Sequence, residues 1–237
     1  ATLGVGRFTG VSAERLERQR GVIRELREYF LPLVEERRSE PREDLLSGLV
    51  AAELEGSRLS FDEMIQMLIL LLVAGNETTT NLIGNAVLEL LDHPAALEHV
   101  WSRPELLPGV VDEVMRFSSP VQLDPRRATR ALELHGVPVA ENQIVIGWIG
   151  AANRDESVFS RPDAFDVERR DNRHVGFGFG PHFCLGASLA ALETRVALDA
   201  LLERTRSFRR LDTAPLPLHP SLVFRGVTAL PLRLDAA

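Results

Sequence analysis

A single cysteine, Cys184, stands in the run Phe177-Gly-Phe-Gly-Pro-His-Phe-Cys-Leu-Gly-Ala187, and a long apolar helical pattern begins directly after it. No other stretch constrains the chain as strongly. Glycines at 176, 178, 180 and 186 let the backbone turn tightly and approach a flat object closely, because no Cβ intervenes. A sulfur just ahead of a helix faces unpaired N–H groups and the positive end of the helix dipole, which favour thiolate over thiol. The run reads as a loop that presents one sulfur anion.

Composition narrows what receives it. One cysteine excludes an internal disulfide and a four-cysteine iron–sulfur cluster, and suits a reducing cytoplasm. One sulfur is also too few for a structural zinc site, and none of the six histidines forms a His-Glu-x-x-His pair. A net charge of -7 argues against nucleic acid as a partner. No secretory leader is expected, and Ala1 to Gly6 resemble the middle of a protein more than its start. The most apolar run, Met67 to Gly75, ends in Asn76-Glu77 and falls short of the roughly 20 residues a membrane span needs. It is expected as a buried helix, with no membrane association. The chain of 237 residues, 45% hydrophobic, is long enough for one large domain or two small ones.

Periodicity predicts a mainly helical chain with small antiparallel sheets. An amphipathic helix is expected over Ala13–Arg38, kinked at Pro32, then a short helix over Asp44–Ala52 and a loop over Glu55–Leu59. Ser60-Phe-Asp-Glu63 matches a capping box and opens a long helix that ends at His93-Pro94. Its centre, Gly75-Asn-Glu-Thr-Thr-Thr80, is polar, and Thr hydroxyls there are expected to bend or open it. A further helix over Pro108–Phe117 carries Glu113-Val-Met-Arg116, whose apolar flanks suggest a buried pair. Ala131–Trp148 reads as a small antiparallel sheet, and Arg161–His174 as a long irregular segment feeding the cysteine run. Leu185–Arg204 is expected as a helix with Leu189, Leu192, Val196 and Leu201 as its main apolar positions. Strands are expected at Leu222–Phe224 and Leu230–Leu234.

Three readings of Cys184 remain from the residues themselves: a buried structural cysteine, a nucleophile with His182 as base, or a thiolate ligand to a planar metal cofactor. The first does not need four nearby glycines, and the second lacks a third orienting group.

Phe177-x-x-Gly180-x-x-x-Cys184-x-Gly186 resembles the haem-binding signature of the cytochromes P450, in their soluble bacterial form. Ala74-Gly75-Asn76-Glu77-Thr78 resembles the family's oxygen-activation motif on its central helix. Glu113-x-x-Arg116 sits where the family's Glu-x-x-Arg helix belongs, and Arg169 resembles its third partner. The motifs follow the family's order, and the resemblance covers essentially all of the chain. It implies a P450 fold over residues 1–237 lacking the amino-terminal half, and a haem-thiolate monooxygenase inserting one oxygen atom of dioxygen into a C–H bond of a small apolar substrate. Cys184 would be the thiolate ligand of haem b, with Phe177, Gly178 and Gly186 shaping its loop. His182 and Arg126 would bind the propionates. Ala74 and Gly75 would leave space above the iron, and Glu77 and Thr78 would deliver protons. Glu113, Arg116 and Arg169 would form a structural network. Electrons from NAD(P)H would arrive through a ferredoxin- or flavodoxin-type donor, with Arg170 and Arg173 as basic contacts. Substrate would meet Leu70, Leu71, Ala74, Val121 to Asp124 and Leu222 to Arg225.

Family members are longer, so this chain is expected to be a fragment with an exposed apolar face that could drive oligomer formation. Two alternatives stand beside the enzyme: a haem-free or non-catalytic binding or scaffold protein, and a haem-bound sensor or carrier.

Overall fold

The computed structural model describes residues 12–54 and 59–237. The loop expected at 55–59 therefore lies, save for Leu59, outside the described residues, as do Ala1 to Gly6. The chain divides into two compact units, 1–77 and 78–237, whose boundary falls within one helix.

The first unit holds α1 (Ala13–Ser39), α2 (Leu45–Leu54) and the opening turns of α3 (Phe61–Asp92). Its core is small: Val34, Val50, Met64, Ile65 and Leu68, with Phe30, Leu46, Leu49, Phe61 and Ile69 packed around them. Asp44 caps α2. Its carboxylate accepts from the Ser47 N–H at 2.7 Å and from Arg37 Nε at 2.8 Å, which holds its pKa at about 2. The capping box forms as expected: the Ser60 N–H donates to Glu63 Oε2 at 2.7 Å, and the Glu63 N–H to Ser60 Oγ at 3.3 Å.

α1 and α3 each run as one continuous helix through Pro32 and through Gly75–Thr80. Pro32 removes one ladder bond, and a Thr hydroxyl can bond back to a carbonyl without displacing the N–H ladder, so neither ends the helix. One expectation fails: the apolar run Met67–Gly75 is not buried throughout. Leu70 is 55% exposed, and Leu72, Ala74 and Gly75 are also open. Among the described residues of this unit, α1 and α2 supply the apolar partners of α3, too few to cover more than one face. By length and composition α3 is one helix apolar enough to cross a membrane.

The second unit packs α4 (Pro94–Ser102), α5 (Leu107–Phe117), α6 (Ile149–Ala152) and α7 (Ala187–Arg204) with the rest of α3. Leu82, Ala86, Leu90, Val100, Val110, Val114, Leu198 and Leu202 lie at the centre of its core. Of the expected apolar positions of α7 only Leu201 packs on the core. Leu189, Leu192 and Val196 are exposed, while Ala187, Thr194, Leu198 and Leu202 are buried. Both stripes have helical spacing, so periodicity alone could not choose between them.

Among the described residues the strands form three two-stranded antiparallel sheets. β2 (Leu132–Leu134) and β3 (Val137–Val139) make the expected hairpin, turning at His135 and Gly136 with φ of 50° and 80°. β4 (Ile144–Trp148) instead pairs with β1 (Leu123–Arg127), which carries Pro125 and two arginines and lacks a strand pattern. β6 (Leu232–Ala236) pairs with β5 (Thr205–Arg210), a continuation of α7. Leu222–Phe224 is not a strand of its own; Phe224 makes a single bridge to Val121.

Candidate functional site

Glu113 and Arg116 face the same side of α5, three residues apart, and both are fully buried. Arg116 Nη2 donates to Glu113 Oε1 at 2.7 Å and Arg116 Nε to Oε2 at 2.9 Å, a two-bond fork. The structure brings Arg169 to the same carboxylate, with Nε at 3.1 Å from Oε2. The Asp166 N–H at 2.8 Å and Asn172 Nδ2 at 3.1 Å complete its shell. The remaining guanidinium donors go to backbone carbonyls: Arg116 to Asn153, Pro162 and Ala164, and Arg169 to Ser160, Arg161 and Ala164. Segment 160–172 forms no helix or strand because these charged groups replace the ladder it would otherwise need.

That segment delivers the chain to the cysteine run. Asn153, fully buried at the end of α6, takes hold of it there. Its Nδ2 donates to Met115 O at 3.2 Å and Ser119 Oγ at 3.0 Å, and its Oδ1 accepts from the Val175 N–H at 2.8 Å. Gly176 follows with no room for a side chain: a Cβ would lie 2.6 Å from Met115 O. The sequence reading passed over Asn153. The only available signal was an Asn-Arg-Asp triplet closing a short helix before a long irregular segment.

The run itself is a tight loop. The Gly178 N–H donates to Val175 O at 2.9 Å, and the Cys184 N–H to Phe177 O at 2.8 Å. Gly178 and Gly180 have φ of 77° and 72°, the left-handed region that favours glycine. Phe177 anchors the loop by packing on the core of the second unit. Cys184 is exposed, just ahead of α7, and its carbonyl accepts from the Ala187 N–H at 3.3 Å. Around it Phe179, Phe183 and Leu185 are exposed, Phe179 and Leu185 by more than 80%. A Cβ on Gly186 would meet nothing within 4 Å. A lone sulfur with an open apolar rim fits a flat apolar group carrying a metal, and four-ligand metal chemistry has no donors here. Among the described residues no three His, Cys, Asp or Glu side chains cluster.

The other expected residues lie as follows. His182 closes an exposed 3-10 turn, Gly180–His182, within the loop. Arg126 is exposed on β1 and pairs with Asp124. Val121–Asp124 and Leu222–Arg225 are neighbours: the Gln122 N–H donates to Val223 O at 2.7 Å and the Arg225 N–H to Pro120 O at 2.8 Å. Asn85 of α3 joins this corner through Nδ2, 3.1 Å from Arg225 O. Ala74, Gly75, Glu77 and Thr78 lie close together along α3, with Ala74 and Gly75 exposed and Glu77 and Thr78 half-buried.

A family model described as Cytochrome P450 matches residues 11–226. The chain belongs to the cytochrome P450 family. The P450 relatives include "Cytochrome P450 109" of Bacillus spizizenii, 44% identical over 215 residues, which cover 88% of this chain and 52% of that protein. The "Steroid C26-monooxygenase" of Mycolicibacterium smegmatis is 38% identical, covering 86% of this chain and 51% of that protein. Among solved P450 structures, CYP109E1 from Bacillus megaterium in complex with testosterone is 36% identical with a TM-score of 0.89, over 94% of this chain and 62% of that one. The Bacillus subtilis bacillaene polyketide synthase P450 PksS gives a TM-score of 0.90 at 38% identity, over 95% of this chain and 58% of that one. The chain thus spans about half the length of the curated relatives it matches.

A buried charge stripped of its partner is costly, about 3–5 kcal/mol. Glu113→Ala is therefore expected to lower unfolding free energy in denaturant titrations by that order. Glu17→Ala, which removes the exposed Arg20's partner at 3.7 Å, should cost under about 1 kcal/mol. Equal effects at the two sites would contradict the network as the organiser of the second unit.

Proposed function

We propose that residues 1–237 are the carboxy-terminal, haem-bearing part of a P450 domain. The whole protein would be a monooxygenase that inserts one oxygen atom of dioxygen into a C–H bond of a small apolar substrate. The observation that carries this reading is the exposed lone sulfur of Cys184, held by its own N–H to Phe177 O at the rim of an apolar loop. When bound, haem b would supply the oxygen activation and the redox chemistry.

The chain's own residues supply the rest. Cys184 offers its sulfur at a fixed backbone position, with Phe177 packed behind the loop and Gly178 setting its turn. Gly186 leaves the approach to α7 unobstructed. Arg126, a cation, and His182, through a ring N–H, would donate to the two propionate carboxylates. On α3, Ala74 and Gly75 expose a stretch of backbone with little side chain, where a small molecule could lie close. The Thr78 hydroxyl can accept and donate a proton at one oxygen, and the Glu77 carboxylate beside it can exchange that proton with water. Glu113, Arg116 and Arg169 do no chemistry; they hold the segment that feeds the cysteine.

Leu70 and Leu71, the Val121–Asp124 segment and the Leu222–Arg225 segment would meet substrate. An apolar substrate class agrees with the molecules named for solved relatives: testosterone and corticosterone with CYP109E1, and hexadec-9Z-enoic acid on acyl carrier protein with P450BioI. Electrons would come from NAD(P)H through a ferredoxin- or flavodoxin-type donor, for which the exposed Arg170 and Arg173 would be basic contacts. A cytoplasmic setting suits the unpaired thiol. The bare stripe of Leu185, Leu189, Leu192 and Val196 would be covered by further polypeptide, either a second copy or chain beyond these 237 residues.

Two measurements test the reading. The chain is refolded with haem, reduced and exposed to carbon monoxide. The parent should show the thiolate–haem band and Cys184→Ser should lose it; a parent with haem bound but no such band would sink the assignment. In the whole protein with its electron donor, Thr78→Ala should divert most oxygen consumption away from product while leaving that band intact. Unchanged coupling would remove Thr78 from proton delivery.

A further inference from the structure

We infer that Asn153 is the positioning residue that sets where the Cys184 loop begins; its bearing on a bound haem rests on the reading just proposed. Both donors and the acceptor of its buried amide are used, and together they tie two parts of the second unit. The two Nδ2 hydrogens grip the end of α5, at Met115 O and at Ser119 Oγ just past it, and Oδ1 takes the Val175 N–H at 2.8 Å. Its backbone carbonyl accepts from Arg116 Nη1 at 3.0 Å, so the Glu113 network ends on this residue. From Val175 a short run of backbone bonds leads to the sulfur: the Gly178 N–H to Val175 O at 2.9 Å, then the Cys184 N–H to Phe177 O at 2.8 Å.

A second observation points the same way. Gly176 lies against the atoms that Asn153 grips, since a Cβ there would come within 2.6 Å of Met115 O and 3.2 Å of Ser119 Oγ. The chain thus enters the loop at one place only, pressed on α5 on one side and tied through an amide on the other. His174 Nδ1 accepts from the Gly176 N–H at 3.2 Å and steadies the same step. Asparagine meets this demand because one planar group donates twice and accepts once at fixed angles. Alanine cannot, and it would leave the Val175 N–H without this acceptor.

The test is hydrogen exchange on the full 237-residue chain without haem, so it does not depend on haem binding. Protection is followed in 174–184 and in the α3 core stretch 82–92. Asn153→Ala should lower protection in 174–184, the Cys184 amide included, by about tenfold or more relative to 82–92, the loss expected for one buried hydrogen-bond network. Ser119→Ala, a milder change, should give a smaller loss in the same stretch. The double variant should lose less than the sum of the two single losses, because the two residues share the Asn153–Ser119 bond, while the Ser119 hydroxyl's own bond to Met115 O is separate. Protection that is unchanged, that falls equally in both stretches, or that falls additively in the double variant would overturn the inference.

A second readout follows haem loading. Asn153→Ala should reduce the share of the carbon monoxide complex in the thiolate form. Val100→Ala, a core change on α4, should leave that share as in the parent; an equal drop in both would reduce Asn153 to a stabilising residue. A parent lacking the thiolate band would overturn the proposed function, while the exchange result would still decide the role of Asn153.

Discussion

A carboxylate taken fully out of water is the constraint on which the second unit depends. Glu113 has no access to solvent, so its charge must be met inside the protein. Two arginines, an amide side chain and a backbone N–H meet it, and the arginines' remaining donors then require carbonyl oxygens. Those carbonyls come from Asn153 and from 160–164. Buried ion pairs do not usually add much net stability. Here the pair fixes the path of about a dozen residues that have no helix or strand to guide them, and that path ends at the cysteine loop.

The loop repeats the principle with neutral groups. Its glycines are not equivalent. Gly178 and Gly180 are needed for positive φ, and Gly176 because α5 leaves no space. Gly186 is required by neither, which leaves its open side as its distinguishing feature. The result is one sulfur on a hydrogen-bonded loop backbone, with exposed apolar side chains around it.

Much of this was legible in the sequence, and the exceptions have physical causes. The capping box at Ser60, the hairpin turn at His135-Gly136 and the helix boundaries at Pro94 and near Pro108 were readable because local chemistry decides them. The grouping of Glu113, Arg116 and Arg169 followed from family resemblance. Spacing alone could not give it, since Glu and Arg three apart also occur at the solvent-exposed Glu17/Arg20 and at Glu35/Arg38, where only the glutamate is exposed. β1 and β5 were missed because their sequences, Leu-Asp-Pro-Arg-Arg and Thr-Arg-Ser-Phe-Arg-Arg, have no alternating apolar pattern; distant partners make them strands. On α7 two apolar stripes of equal spacing exist, and contact with α5 and its neighbours decides which is buried. Asn153 was invisible because a single amide carries no pattern.

The central claim is that Cys184 sulfur binds iron. The most direct measurement is iron-edge X-ray absorption on the haem-loaded chain, which distinguishes a sulfur neighbour from nitrogen and oxygen. The account predicts one sulfur scatterer in the parent and none in Cys184→Ser. An iron surrounded only by nitrogen and oxygen in the parent would contradict it.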